Sequence, residues 1–436
     1  MREEEVLALA RRHADQAEVF SVSSRSIPVS YEANRLKSVD TRDSSGMALR
    51  IIKDGRIGFS STTDMDDQDG LVARAVEMLP FGARAHMDFP DASEYTHVPT
   101  YDEGAAALQS ASLVEVGGAL IEKMHSDFPD VVWEGRVSQG VSTTRLLNSK
   151  GLVAEETSSS VGLGVEGTLV RDTDMLFVYG RTSSCKPDLD TDGVIAALTR
   201  KLQWAERVAS APTGQVPVIF TPQAVAGLLL GPLLAGFNGR NIVQKSSPLI
   251  EKLGSRILDP RITVWDDPTN PFVPGSRTFD DEGVPATRFP LVQQGVIANF
   301  LYDLQTAGQA GATTTGSAHR GLASQPGPGA SVIIIEPGDT TFAGMIAGHG
   351  KALVVESFLG AGQGNILGGD FSANVLLGYA VENGEVTGRV KDTMVAGNVY
   401  AILEALSALG SEPEWVGGSL QTPALCCNGV SVSSRG

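Results

Sequence analysis

Apolar positions along the first 80 residues change period from element to element. Val6, Leu7 and Ala10 recur at helical spacing, which predicts an opening helix ending near Asp15. Glu18–Val22 and Ile27–Tyr31 alternate instead, as half-buried strands do. Met47–Ile52 and Arg56–Ser60 flank Asp54-Gly55, a two-residue hairpin signal. Leu71, Val72, Ala75, Val76 and Leu79 mark one face of a helix that Pro80 stops. From Pro80 to Glu103 there are three prolines and no clear period, the mark of a linker.

The theme then repeats. Leu113, Val116, Leu120, Ile121 and Met124 form a helical stripe, followed by strands at Val131–Ser138 and Thr143–Leu147. Asn148-Ser149-Lys150-Gly151 reads as a turn, strand-like stretches run on to about Arg181, and a helix from about Thr191 to Val208 closes the segment. Beyond Ser210–Gly214 the chain changes character. Short β-like runs (Val216–Phe220, Ile262–Val264, Phe289–Gln293, Ser331–Ile335, Val375–Val381) are separated by Gly-, Pro- and Asp-rich turns, with helices at Pro222–Phe237 and Val399–Leu409. This pattern predicts an α+β protein: an N-terminal helix-plus-sheet segment (1–80), a linker (81–104), a central segment of the same kind (105–212), and a larger, mainly antiparallel β domain with helices (213–436).

Composition narrows the function classes. With 436 residues the chain exceeds one typical core, and 42% hydrophobic with 19% charged residues describes an ordinary globular protein. A net charge of −17 argues against nucleic acid and against anionic membranes as partners, since both need a basic face. The longest apolar run, Ala224–Phe237, has 14 residues and a proline, short of the roughly 20 needed to span a bilayer. An acidic start, MREEEVLALARRHAD, does not resemble a secretion signal, and three cysteines suit a reducing compartment; the expected location is cytoplasmic.

Local motifs carry little chemistry. None of the six histidines lies three to five residues from another or near a cysteine, so metal-ligand spacing is absent locally and each reads as a surface or core residue. Gly162-Leu163-Gly164-Val165-Glu166-Gly167 matches a dinucleotide fingerprint literally, but its Ser- and Thr-rich flanks place the glycines in a strand or bulge. The carboxylates of Phe279-Asp280-Asp281-Glu282-Gly283-Val284-Pro285 could work as acid and base or hold a hard cation; Gly and Pro after them favour a solvated turn. Trp265-Asp266-Asp267-Pro268 reads the same way. Cys426 and Cys427 read as buried thiols of a terminal strand. The run Gly360-Ala361-Gly362-Gln363-Gly364 lets backbones approach closely and permits a groove for an extended peptide.

The longer strings are more specific. VIFTPQAVAGLLL, GSRILDPRITVWDDPT, FDDEGVPATRFPLVQQGVI, GGDFSANVLLGYAVENGEV and VAGN follow one another in an order that resembles the TldD/PmbA family. IIKDGRIGFSST and LLNSKGLVAEETSSS fit the same pattern, so the resemblance covers nearly the whole chain. It implies a zinc motif, His-Glu-x-x-x-His, on the helix after the VIF-like strand of TldD-type members, with a further cysteine ligand near the carboxyl end. A zinc hydrolase needs two imidazoles on one helical face with a carboxylate beside them. Here Leu230, Gly231 and Ala235 occupy the motif positions, and no residue of Ala224–Phe237 is titratable. No cysteine precedes Gly417-Gly418 at the matching place, and Cys426 and Cys427 lie too late; the tail Cys426-Cys427-Asn428-Gly429 departs from the usual apolar ending of the family.

Gly369–Ser372, Gly-Asp-Phe-Ser, resembles the TldE/PmbA branch. That branch implies a non-catalytic subunit with no catalytic residue, metal or cofactor of its own, zinc being held by a TldD-like partner in a heterodimeric protease. The substrate would be an unfolded peptide entering as an extended strand. Gly360, Gly362, Gln363, Gly364, Asp370 and Phe371 are then candidates for the substrate wall or the partner contact. Two alternatives remain open: half of a specialised pair hydrolysing a C–N bond in peptide-derived natural-product biosynthesis, and a non-enzymatic homodimeric binding or regulatory protein.

Overall fold

The computed structural model describes residues 2–172 and 174–434, without the side chains of 361–363. Four antiparallel strands open the chain: β1 (Gln16–Glu32), β2 (Arg35–Val39), β3 (Arg42–Lys53) and β4 (Arg56–Thr62). Asp54 and Gly55 both take positive φ (49° and 71°), so the β3–β4 hairpin has the turn expected of Asp-Gly. The central segment adds β5 (Val132–Asn148), β6 (Val153–Arg171) and β7 (Asp174–Ser184). These do not form a sheet of their own. β5 pairs with β1 from Glu18↔Asn148 to Tyr31↔Gly135, giving one seven-stranded sheet in the order β4-β3-β1-β5-β6-β7, with β2 on the free end of β1. The two short strands read at 18–31 are one continuous strand, as are those read at 131–147. The first helix stops at Ala10, five residues short of the place its pattern suggested.

One face of this sheet is apolar. Tyr31, Trp133, Val137, Leu163, Val165 and Val178 lie beneath the helices Ser110–Asp127 and Thr191–Trp204, which supply Leu113, Leu120, Ile121, Met124, Val194 and Leu198. Gly117 is required at the contact, because a Cβ there would stand 2.5 Å from the Tyr31 ring. The stretch between Phe81 and Glu103 has no regular structure but is not loose. Phe89 and Val98 are buried, Asn148 donates to the Pro90 carbonyl, and the Tyr95 hydroxyl donates to the Gly283 carbonyl.

The remainder begins with β8 (Gly214–Phe220), which runs parallel to Lys351–Gln363 and antiparallel to the terminal strand Leu425–Ser434. Leu425–Ser434 pairs with Thr393–Asn398, that strand with Asp370–Glu382, and Asp370–Glu382 returns to Lys351–Gln363, closing a five-stranded barrel. Alternation then sorts two cores. Val218, Phe220, Leu353, Val355, Phe371, Val395 and Cys427 point inward with the Leu230–Phe237 helix, whereas Ile219, Val354, Leu377, Tyr379 and Cys426 point outward against the central helices. A smaller six-stranded sheet, including Val264–Asp266, Phe289–Gln293 and Ile333–Ile335, flanks the barrel. The fold is mixed α+β with a β-dominated C-terminal part. The last predicted helix ends early: Val399–Glu404 is helical, but Leu406–Leu409 is a strand paired to Leu425–Cys427.

Charge fixes the N-terminal sheet to the C-terminal part. Glu18 and Arg50 are direct cross-strand partners, and the Arg50 guanidinium bonds both the Glu18 carboxylate (2.9 Å) and that of Glu282 (2.7 Å). Arg320 bonds the other Glu18 oxygen at 2.9 Å and lies 4.0 Å over the Phe20 ring. Glu282 also accepts from the Leu304 amide. Glu18, Arg50 and Glu282 are sealed from water (0–2% exposed), and Arg320 is 1% exposed. Removing one member of a buried pair strands its partner's charge and typically costs about 3–5 kcal/mol. Urea unfolding should therefore show Arg50→Ala losing about 3–5 kcal/mol, while Arg74→Ala, which breaks a surface pair with Asp67, should lose about 1 kcal/mol or less.

Candidate functional site

Three places bear on function: the helix where the family motif would stand, the hairpin loop beside it, and the uncovered face of the seven-stranded sheet. The helix begins at Pro222, capped by the Thr221 hydroxyl, which accepts from the Ala224 amide. It widens into a π-turn over Val225–Leu229 and continues from Leu230 to Phe237. Leu228, Leu229, Leu233 and Phe237 fill the barrel core, and Pro232 is buried on the same helix. Gly227, Leu230, Gly231, Leu234 and Ala235 form the other stripe, half-buried or exposed, at the i, i+3, i+4, i+7, i+8 spacing of one face. None of these side chains has a lone pair to offer a metal. Among the described residues no group of three His, Cys, Asp or Glu side chains is arranged to hold one. The residues present do not fit zinc.

The hairpin of Lys351–Gln363 and Asp370–Glu382 packs its tip, the 3-10 turn Ile366–Gly368, on this helix. Gly360 and Gly364 take positive φ (74° and 111°), the conformation glycine permits without strain. Gly362 and Gln363 belong to the strand, but their side-chain surroundings lie outside the described residues. Asp370 is exposed and accepts from the Asn398 amide at 2.8 Å. Phe371 is buried against Phe220, ring to ring at 6.4 Å, so it belongs to the barrel core and not to a wall. Leu359 (62% exposed) and Leu367 (43%) leave apolar surface at the hairpin.

The open face of the sheet forms a groove of about 750 Å³. Strand parity dictates its lining: Ser30 and Glu32 of β1, Glu134, Arg136 and Ser138 of β5, Gly162, Gly164 and Glu166 of β6, and Tyr179, Arg181 and Ser183 of β7 point away from the central helices. The glycines of the nucleotide-like motif thus sit within β6, as its flanks predicted.

The carboxylate clusters are not solvated turns. Asp280 and Glu282 are fully buried, as are Asp266 and, nearly so, Asp267. Asp280 accepts from the Glu282, Val284 and Ala318 amides, and Asp266 from those of Ser331 and Val332. Gly283 takes a positive φ of 79°, and a Cβ there would also stand 2.8 Å from Leu146 and Leu152 of the N-terminal sheet. Burial, opposed by Arg50 and reinforced by Asp280, pushes Glu282 up to about 7; burial likewise raises Asp266 to about 6. Glu18 is held below the ordinary carboxylate value: burial would raise it, but Arg50 and Arg320 prevail. With every accessible oxygen taken by a backbone amide or an arginine, these groups hold loops together.

His349 and Cys426, 77 residues apart, meet at 3.7 Å, a pairing with no local sequence signal. The His349 Nδ1 donates to the Met345 carbonyl at 2.7 Å, which leaves Nε2 to accept from the thiol. Burial pushes the Cys426 thiol up to about 11 and holds Cys427 well above the ordinary thiol value, so neither is a thiolate nucleophile.

The chain belongs to the PmbA/TldD family. The model of the PmbA/TldA metallopeptidase C-terminal domain matches residues 213–434, and that of PmbA/TldA metallopeptidase domain 1 matches residues 17–79. Among similar proteins, an uncharacterized protein of Methanocaldococcus jannaschii is 25% identical over 99% of both chains. The metalloprotease PmbA of Escherichia coli O157:H7 is 26% identical over 94% of this chain and 90% of its own. The crystal structure of TldE from Thermococcus kodakarensis superposes over the whole of both chains with a TM-score of 0.91 at 24% identity, which establishes the common fold.

Two solution properties follow. Cys185, raised to about 11 by burial, joins Cys426 and Cys427 in being closed to reagents, so a thiol probe at pH 8 should label none of them until the protein is unfolded. Burial and the nearby Arg277 depress His319 to about 3 from 6.5. The folded state therefore keeps this ring neutral while the unfolded chain protonates it below pH 6.5. Stability should fall with pH through this window, and His319→Gln should remove up to about 1.4 kcal/mol per pH unit of that fall in urea titrations between pH 6 and 4.

Proposed function

We propose that this chain is the zinc-less, TldE-like subunit of a heterodimeric peptidase, acting with a TldD-like homologue that bears His-Glu-x-x-x-His. One observation carries the reading: in a chain of a metallopeptidase family, the outward stripe of the motif helix is Gly227, Leu230, Gly231, Leu234 and Ala235, with no side chain able to bind a metal or activate water. The chain contributes walls and a docking surface. Apolar side chains at Leu359 and Leu367, beside the stripe, suit burial under a partner. A groove floored by glycine and lined by polar side chains suits an extended peptide, whose backbone groups need partners and whose strand form matches the sheet. No helix among the described residues is long and apolar enough to cross a membrane, which fits a soluble, cytoplasmic pair.

The test is co-expression with the homologue from the same genome that carries the motif. A one-to-one complex should form, hold zinc in the partner, and cleave unstructured peptide only when both chains are present. Leu359→Asp with Leu367→Asp should weaken the complex at least tenfold while leaving the melting temperature of this chain unchanged. A stable homodimer that ignores the homologue would refute the subunit role and favour a binding protein.

A further inference from the structure

Within the groove, one cross-strand rank stands out. Arg136 of β5 is in register with Gly164 of β6, and Gly164 with Arg181 of β7. Neighbouring strands are about 4.8 Å apart, so the two arginines rise about 9.6 Å from each other with only backbone between them. Both are exposed, and among the described residues neither has a carboxylate within ion-pair reach; Arg181 leans over the Tyr179 ring at 5.8 Å. In a chain of net charge −17, two unpaired guanidiniums on one rank of a concavity, that of Arg181 standing beside Gly417, call for an anion. The floor is open as well. A Cβ on Gly164 would lie 3.9 Å from the Tyr179 hydroxyl and 4.0 Å from Arg181, ordinary contact distances, so the fold tolerates a side chain here.

The flanking ranks define what else the anion carries. On one side lie Ser138, Gly162 and Ser183, on the other Glu134, Glu166 and Tyr179. The acidic rank is two residues along the strands, about 7 Å away. It repels a second carboxylate and accepts from N–H donors. A ligand that fits therefore has a carboxylate at one end and amide or ammonium donors about two extended residues further on. We propose that the Arg136–Gly164–Arg181 rank binds the carboxylate of an extended peptide, each guanidinium presenting its fork to the carboxylate oxygens. This deepens the peptidase-subunit reading and rests on it for peptides reaching this face.

The experiment is calorimetric titration of the full-length chain at low ionic strength with an unstructured Gly/Ser octapeptide in three forms: free acid, carboxyl amide, and amide with one internal Asp. The free acid should bind at least tenfold more tightly than the plain amide. If only the free acid gains, the C-terminal carboxylate is the ligand; if the internal Asp peptide gains equally, a side-chain carboxylate serves, and both outcomes support the assignment. Arg136→Gln and Arg181→Gln should each cut the gain several-fold. Gly164→Asp, which places a carboxylate between the arginines, should abolish it with the melting temperature unchanged. Equal binding of acid and plain amide, a preference surviving Gly164→Asp, or displacement by inorganic phosphate at the same concentration as peptide would overturn it. The two readings fail separately. Carboxylate-dependent binding without any complex refutes the subunit role alone, whereas an active complex indifferent to all three variants refutes this site alone.

Discussion

Glu18 and Arg50 face each other across β1 and β3, and their charges are completed from a distant part of the chain, by Glu282 and Arg320. Four ionisable groups in a nearly dry space would be prohibitive singly; together they leave few oxygens without a donor. Arg50 stays charged because burial is outweighed by the two glutamates it touches. A hydrophobic contact tolerates sliding, but this cluster does not, because the geometry that satisfies it is narrow. It sets where the N-terminal sheet stands on the C-terminal part. A second clamp does the same for the central helix, where Arg200 and Lys201 reach the buried Glu356 of the barrel strand Lys351–Gln363. The orientation of the open sheet face, and hence of the groove, follows from these two clamps.

Periodicity made most elements legible. The Asp-Gly hairpin, the two central helices and the strand placement of the Gly162–Gly167 run all follow from spacing and turn chemistry. Local pattern and structure differ where tertiary partners decide. Phe279–Pro285 has the composition of a solvated turn, and its local rules are obeyed, since Asp280 does accept from amides two and four residues on. What sequence could not show is that an arginine 232 residues away waits for Glu282. Leu406–Leu409 continues a helical pattern but pairs with the terminal strand, a long-range contact overriding local preference. Phe371 follows a glycine-rich stretch in sequence but falls on the inward parity of its strand.

The groove was legible only in pieces. Its glycines resemble a nucleotide motif in sequence, whereas its arginines carry no local signal, because Arg136 and Arg181 become neighbours of Gly164 only through the register of three strands. Strand parity was the missing signal. Once β5, β6 and β7 are aligned, every second residue is assigned to the open face without further information.

The helix from Pro222 to Phe237 shows how packing constrains one stripe of a helix more tightly than the other. Leu228, Leu229, Leu233 and Phe237 are held by barrel packing, where a change of volume is felt at once. Leu230 and Leu234 pack against that core only in part, whereas Gly227 and Gly231 are exposed, and Gly231 has nothing within 4 Å of the place a Cβ would occupy. At Gly227 and Gly231 a change of side chain therefore disturbs the core less than at Leu230 or Leu234. The opposite holds for the ion cluster between sheet and barrel, whose members are fixed by one another. The family fold therefore rests on the inward stripe of this helix and on the buried charges. On the reading proposed above, what the chain offers for function is surface: a helix stripe and hairpin to meet another protein, and a sheet face for an extended ligand.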